Sequence, residues 1–203
     1  MRRLTLLVAL TMLTACATVP DDAYYPNPTD PKTRMLAQAL YRAARAASED
    51  PKQYSFAMIR TAEVRAYTAG EATFYFSEGL ALQAPAVIDA LVAHEVAHVL
   101  LDHAGRRRPL SRSANGGSSA LDFLTNSVIV RAYTRDQELS ADRRAVEVLR
   151  DMGYATPRRA LAHALRQAAA RNETADRAPG ADEPDLGERL TALEPLEPAA
   201  RTQ

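Results

Sequence analysis

The feature that most constrains this chain is a glutamate between two histidines in an apolar segment. Residues 90–100 read ALVAHEVAHVL, so Ala, Val and Leu surround His94, Glu95 and His98. The apolar residues predict a helix packed in a core, and positions i and i+4 of a helix share one face, so both imidazoles point the same way. This spacing is typical of a zinc site with a neighbouring glutamate as general base.

A second interpretation is that the histidines are hydrogen-bonded core residues without a ligand. It places three polar groups on one buried helix, and each of them costs free energy if it is unpaired. We therefore predict that His94 and His98 bind one Zn²⁺ per chain and that Glu95 is catalytic.

Length and composition indicate one globular domain. The chain has 203 residues and 47% hydrophobic content, which is enough for a sizeable core. The formal net charge is zero and the isoelectric point is near 6.9. This balance does not favour nucleic acid, so we expect no nucleic-acid partner. The sequence gives no indication of an oligomeric state.

The amino terminus is typical of a secretory signal peptide over residues 1–15. The sequence MRRLTLLVALTMLTAC has a basic start, an apolar stretch from Leu4 to Leu13, and small residues before Cys16. The apolar stretch is too short to span a bilayer. Cys16 is the only cysteine, so an intrachain disulfide is impossible and the thiol is available for another use.

The segment LTAC that ends at Cys16 resembles the bacterial lipobox, at which a signal peptidase cuts before a lipid-modified cysteine. The resemblance implies thioether lipidation of Cys16, and several acyl chains on one residue anchor a protein firmly. Ala17 follows it, instead of the Asp that commonly retains lipoproteins at the inner membrane. We therefore expect the protein to be located at the periplasmic face of an outer membrane. Residues 16–30, rich in Pro and Asp, are predicted to be the lipidated cysteine and a tether.

The remaining chain predicts a mainly helical α+β domain over residues 31–195, followed by a frayed end over 196–203. A helix is predicted to start at Pro31. β-branched and aromatic residues over 54–77 predict a small antiparallel sheet, in which the last strand, 72–77, leads towards the histidine-bearing helix.

That helix is predicted to run from Pro85 to about Ala104. The polar, arginine-rich stretch 105–120 follows, and it favours a solvated loop, with a lid over the site or a lipid-contacting patch as alternatives.

Further helices are predicted downstream. One runs from Leu121 to about Met152 with a break near Tyr133, and Thr134 and Gln137 form a possible capping box at the start of its second part. Gly153 ends it. Another helix begins at Pro157, and residues 186–198 offer one more short helix.

A catalytic zinc needs a third protein ligand and an open position. His103 lies one residue short of the spacing at which some zinc peptidases carry a third histidine, so we interpret it as a structural or rim residue. Glu138 and Asp142 are spaced i, i+4 on one helical face. Taken alone, such a pair is most simply explained as solvated carboxylates on an amphipathic helix.

These motifs together resemble the CAAX-prenyl-protease and HtpX family of zinc metallopeptidases, and within it a branch of small periplasmic lipoproteins. The resemblance covers roughly residues 30–192 and depends on HEVAH (94–98), YTRDQELSAD (133–142), Gly153-Tyr154 and Pro157. It implies a zincin-like domain whose sheet lies next to the HExxH helix, with Glu138 as the third metal ligand. Asp142 would orient a ligand histidine or assist proton transfer.

One position departs from the family pattern. The family usually carries His-Pro near its carboxyl-terminal end, before Glu-Arg and an apolar residue, whereas this chain has Glu183-Pro184. That histidine is thought to help stabilise the transition state. His163 and Arg135 are candidate replacements.

The sequence therefore predicts a lipid-anchored zinc endopeptidase that acts on unfolded or misassembled envelope proteins. The strand at 72–77 is expected to pair with an extended substrate. Two alternatives remain: a zinc-containing binding or chaperone-like lipoprotein with little turnover, and a structural lipoprotein with an accidental motif.

Overall fold

The computed structural model describes residues 22–68, 73–103, 133–172 and 183–198. Its elements are a mixed four-stranded sheet and five α-helices. The strands are β1 (Ala23–Tyr24), β2 (Ser55–Ile59), β3 (Ala66–Thr68) and β4 (Thr73–Ser77). The helices are α1 (Pro31–Ala46), α2 (Pro85–Leu100), α3 (Arg135–Asp151), α4 (Pro157–Asn172) and α5 (Leu186–Ala192). The predicted mainly helical α+β class is confirmed.

Helix α2 is the centre of the fold. Every residue from Val87 to His98 is buried, as expected for a helix that is apolar on all sides, and α2 packs against α1, α3, α4 and β3. Phe74 and Phe76 of β4 join the same core and are fully buried. The predicted core helix is therefore confirmed, and its polar residues lie in the interior. No helix in the described ranges is both long and apolar enough to cross a bilayer.

The sheet differs from the predicted antiparallel arrangement. The strand order is β1-β2-β4-β3, with β2 and β4 parallel and the other two pairs antiparallel. The chain reverses direction between β2 and β3 and again before β4, so β4 runs in the direction of β2 and lies between the two earlier strands. Gly79, two residues after β4, packs against the backbone of residues 62 and 63. A Cβ at this position would lie 2.2 Å from the Ala62 carbonyl oxygen.

The strand order also shows that one functional prediction is wrong. Strand β4, expected to pair with substrate, has partners on both edges, so its backbone groups are already used within the sheet. Within the described part of the sheet the outer strands are β1 and β3. Strand β1 itself lies in the segment predicted to be a tether, where Ala23 pairs with Ile59 and Tyr24 with Met58.

Most helix boundaries agree with the sequence. Asp30 caps α1, accepting a hydrogen bond from the Thr33 amide at 3.3 Å, with Pro31 in the first turn. The capping box that opens α3 is present, because the Thr134 amide donates to Gln137 Oε1 at 3.0 Å and the Gln137 amide donates to Thr134 Oγ1 at 3.4 Å. Gly153 ends the α3 region with φ of 95°.

Two predicted boundaries need correction, and several predicted segments lie outside the described residues. Helix α2 ends at Leu100, four residues before the predicted end. Residues 196–197 belong to the folded part, since the Glu197 carboxylate accepts hydrogen bonds of 3.0 Å from the amides of Arg158 and Arg159 at the start of α4. The signal peptide, Cys16, the 105–120 stretch and the predicted helix over 121–132 lie outside the described residues.

Candidate active site

The two histidines and the later glutamate converge in the core. His94 and His98 lie one turn apart on α2, and Glu138 faces them from α3. The two Nε2 atoms are 3.0 Å apart, Glu138 Oε2 lies 3.2 Å from His94 Nε2, and Glu138 Oε1 lies 3.6 Å from His98 Nε2. In the described ranges this trio is a group able to hold a metal ion.

These distances fit zinc. Zn²⁺ binds imidazole nitrogen and carboxylate oxygen at about 2.0–2.2 Å in a tetrahedron, which puts neighbouring ligand atoms about 3.3 Å apart. The three observed separations, 3.0, 3.2 and 3.6 Å, lie around that value. Two imidazoles and one carboxylate are also a common ligand set of catalytic zinc, and three protein ligands leave one position open.

The outer nitrogen of His94 is held by a carboxylate. Its Nδ1 lies 3.0 Å from Asp142 Oδ1, and the Asp142 side chain is almost fully buried. Asp142 is held in turn by a forked ion pair with Arg189 of α5, at 2.8 Å from Nε and 2.6 Å from Nη2. Asp142 therefore orients the imidazole and does not itself face the ligand group, which makes it a positioning residue.

The charges of this network stabilise one another. Burial opposes ionisation of Asp142, but the hydrogen bonds from Arg189 and His94 prevail and lower its pKa to about 2. Burial and Arg189 oppose a charge on His94, yet its hydrogen bonds with Asp142 and Glu138 raise its pKa to about 9. Burial likewise disfavours ionised Glu138, and His94 and Arg189 overcome it and lower its pKa. Both carboxylates are thus anionic at neutral pH, as metal binding requires, and His94 must give up its extra proton when a metal binds.

Glu95 is buried beside this group. It follows His94 on α2 and is 6% exposed. Burial opposes the positive charge of Arg189, but Asp142 and Glu138 outweigh it and raise the pKa of the guanidinium. Glu95 is near enough to Arg189 to add a smaller effect in the same direction. A carboxylate held next to the ligands in a water-poor site is placed for proton transfer.

His98 has two further neighbours. The Tyr133 ring stacks on its imidazole with 3.7 Å between centroids, and the Tyr133 hydroxyl lies 2.7 Å from Thr68 Oγ1 at the end of β3. His103, predicted to be structural or at the rim, is buried, and its Nδ1 lies 3.1 Å from Nδ1 of His98. Through Tyr133 and Thr68, the site is connected to β3, an outer strand of the described sheet.

Arg189 is the site residue that the sequence did not single out. It lies within 3.4 Å of Glu138 Oε2 and of His94 Nε2, and it stands in the Glu-Arg-Leu segment that was noted only as part of the family pattern. The two proposed replacements for the missing histidine lie elsewhere: Arg135 pairs with Glu188 at the surface, and His163 is exposed on α4. Of these three side chains, Arg189 is the one in contact with the ligand group.

Comparison with known proteins agrees with this geometry. The sequence model of peptidase family M48 matches residues 30–197, which is most of the chain. A comparison with curated protein sequences found no match. The matched region includes both the HExxH helix and the helix that carries Glu138, and the accidental-motif alternative is therefore excluded. The chain belongs to peptidase family M48 and is a zinc-dependent metallopeptidase.

Proposed function

We propose that this metallopeptidase cleaves unfolded or misassembled proteins of a bacterial envelope and is held at a membrane by a lipid on Cys16. The observation that carries the catalytic part is the convergence of His94, His98 and Glu138 on one point, with Glu95 buried beside them. The outer strand β3 supports the proposed substrate class, and the amino-terminal sequence supports the proposed location.

The chemistry divides between the metal and the side chains. When bound, zinc supplies a Lewis acid that polarises a carbonyl oxygen and makes water more acidic. We assign to Glu95 the removal of a proton from the attacking water and its delivery to the leaving amine. Asp142 keeps His94 oriented. Arg189 supplies the positive charge that can stabilise the negative charge developing on the scissile carbonyl.

The substrate is proposed to pair with the edge of β3 instead of β4. Strand β3 is an outer strand of the described sheet, and its last residue, Thr68, is linked through Tyr133 to His98. Main-chain pairing along an edge strand selects extended backbone with little regard for sequence. A folded protein offers few such segments, because most of its backbone is already paired, so a peptidase that binds in this way is expected to prefer unfolded chains.

This substrate preference can be measured with one protein in two states. Native lysozyme and its reduced, alkylated form have the same sequence, and we expect cleavage of the unfolded form only. A chelator should abolish cleavage and added zinc should restore it, since only three protein ligands hold the metal. Equal cleavage of both forms would contradict the preference for unfolded chains. Cleavage of neither by the zinc-loaded protein would favour the binding-module alternative.

The anchor would keep the domain close to the membrane. Residues 17–21 separate Cys16 from Asp22, whose carbonyl accepts a hydrogen bond from the Arg60 amide at 3.4 Å. A linker of this length spans at most about 20 Å when extended. An anchored domain would therefore encounter envelope proteins that fail to assemble at the membrane surface.

Cys16→Ser is expected to give a protein without a lipid that no longer sediments with membranes, because Cys16 is the only thiol in the chain. Fractionation in high salt and metabolic labelling with palmitate measure this. Thr18→Ser, two residues away, is the matched control and should stay labelled and membrane-bound. Membrane association of Cys16→Ser that persists in high salt would refute the anchor.

One observation favours the second candidate function, a binding or chaperone-like module with little turnover. Glu183 stands where the family usually has a histidine thought to act in the transition state. Glu95 is intact, however, and Arg189 brings a positive charge to the site. The Glu95 variant discussed below separates the two functions.

A further inference from the structure

The carboxyl-terminal end of α2 folds the chain back onto one of its own histidines. Leu101 caps the helix, and Asp102 has a left-handed backbone with φ of 53°. The Asp102 amide donates to the Val99 carbonyl and the His103 amide to the His98 carbonyl, both at 3.0 Å. These two bonds form a Schellman motif, which brings the residue after the left-handed one against the residue three before the cap.

The two residues brought together in this motif frequently form a hydrophobic contact. Here they are His103 and His98, so the turn itself places a second imidazole against the first. Their Nδ1 atoms are 3.1 Å apart and the rings meet edge to face. His103 is 6% exposed and His98 is fully buried, so water does not compete freely for this contact.

The direction of this hydrogen bond follows from the ligand geometry. Nε2 of His98 faces His94 and Glu138, and it is therefore the nitrogen available to a metal. The remaining proton of a neutral, metal-binding imidazole is then on Nδ1 of His98, which must donate. Nδ1 of His103 accepts, and His103 carries its own proton on Nε2.

The far side of His103 fits this assignment. Its Nε2 lies 3.4 Å from Ser140 Oγ, and that hydroxyl donates to the Asp136 carbonyl at 2.7 Å, which leaves the oxygen to accept. Gln137 Nε2 lies 3.5 Å from the His103 carbonyl. Helix α3, which carries Glu138, thus also holds His103 in place through Gln137 and Ser140.

We propose that His103 is a positioning residue that holds the imidazole of His98 in its metal-binding orientation, as Asp142 does for His94. It accepts the proton of His98 Nδ1 and is itself held by Ser140. Partners of this kind fix the tautomer and the ring angle of a ligand histidine. The inference rests on His98 as a zinc ligand, and it assigns a role to a residue outside the HExxH motif.

The test measures zinc affinity by competition with a chelator in four variants of the full domain. His103→Leu removes the acceptor, and it is expected to weaken zinc binding by about 10–100-fold. His103→Asn places an oxygen near the position of Nδ1 and should retain an affinity close to that of the wild type. His103→Gln places its amide near the position of Nε2 and should fall with the leucine variant. His163→Leu, the same change at an exposed histidine, is the matched control.

Two further measurements separate positioning from packing. The absorption spectrum of the Co²⁺-substituted protein should change in His103→Leu and His103→Gln and should resemble the wild type in His103→Asn. The melting temperature of the zinc-free proteins reports whether each variant folds. The Asn and Gln variants differ by one methylene, so their comparison remains decisive if the leucine variant fails to fold.

Three outcomes are informative. Rescue by Asn alone supports the proposal. Wild-type affinity in both the leucine and the glutamine variants, or an equal affinity in the asparagine and glutamine variants, overturns it. His98→Ala is measured in parallel, because unchanged zinc binding in that variant would show that the ligand assignment, and not the role of His103, is wrong.

Discussion

Replacing Glu95 by Gln is expected to reduce kcat/KM for an unfolded substrate by about 10²–10⁴-fold, the usual contribution of a general base. The amide has nearly the shape of the carboxylate but cannot take a proton. Zinc content should remain near one per chain, because the ligands are assigned to His94, His98 and Glu138. The fold should also persist, since a buried carboxylate is replaced by a neutral group of the same size. Peptide cleavage rates and metal analysis of the same preparation measure both effects.

The control is Glu147→Gln, the same chemical change on α3 at a residue that pairs with Arg144 near the surface. It should cleave like the wild type. Full activity in Glu95→Gln would refute the assigned mechanism. In cells, a phenotype lost equally in Glu95→Gln and in a deletion would identify proteolysis as the function. A variant without cleavage that keeps full cellular function would instead support the binding module.

The parts of the site that the sequence predicted are those that depend on local geometry. A helical i, i+4 spacing places His94 and His98 on one face whatever surrounds them, and their neighbours ensure that the helix is buried. The capping box at Thr134 and Gln137 is likewise a relation between residues three apart. The pairing of Glu138 with these histidines depended on family resemblance, because nothing local requires two helices to meet.

The parts that the sequence missed depend on contacts between distant segments. Arg189 is 47 residues from Asp142 and 95 from His94, and no periodicity indicates that α5 brings a guanidinium into the core. The order of the strands was missed for a similar reason. Alternation predicts that Phe74 and Phe76 face one side, but it does not say which strand lies beside β4. Any of the earlier strands could pair with β4 on the pattern alone, and in the structure its neighbours are β2 and β3.

His103 shows an intermediate case, in which a local signal existed and was interpreted incompletely. The spacing to His98 is five residues, which an uninterrupted helix places on different faces. The left-handed Asp102 ends the helix and turns the chain, so His103 folds back against His98. Asp is among the few residues other than Gly that adopt this conformation readily. A helix that continues to Ala104 would place His98 and His103 on different faces, so the sequence did not predict their contact.

Replacing Glu138 by Gln is expected to remove zinc from the protein at concentrations at which the wild type is saturated. Glu138 is one of three protein ligands and the only anionic one, and an amide oxygen is a much weaker donor to Zn²⁺ than a carboxylate. The loss of affinity should exceed the roughly 10–100-fold change that is typical when a residue hydrogen-bonded to a ligand is replaced. Chelator competition and metal analysis measure the affinity, and cleavage should fall with the zinc content.

The comparison of Glu138→Gln with Glu95→Gln is what makes the site assignment testable. Both are the same chemical change at buried carboxylates a short distance apart, yet one should lose metal and activity together and the other should lose activity alone. Excess zinc should restore part of the cleavage in Glu138→Gln and none in Glu95→Gln, since only the former is limited by occupancy. Wild-type zinc affinity in Glu138→Gln would show that another residue completes the ligand set.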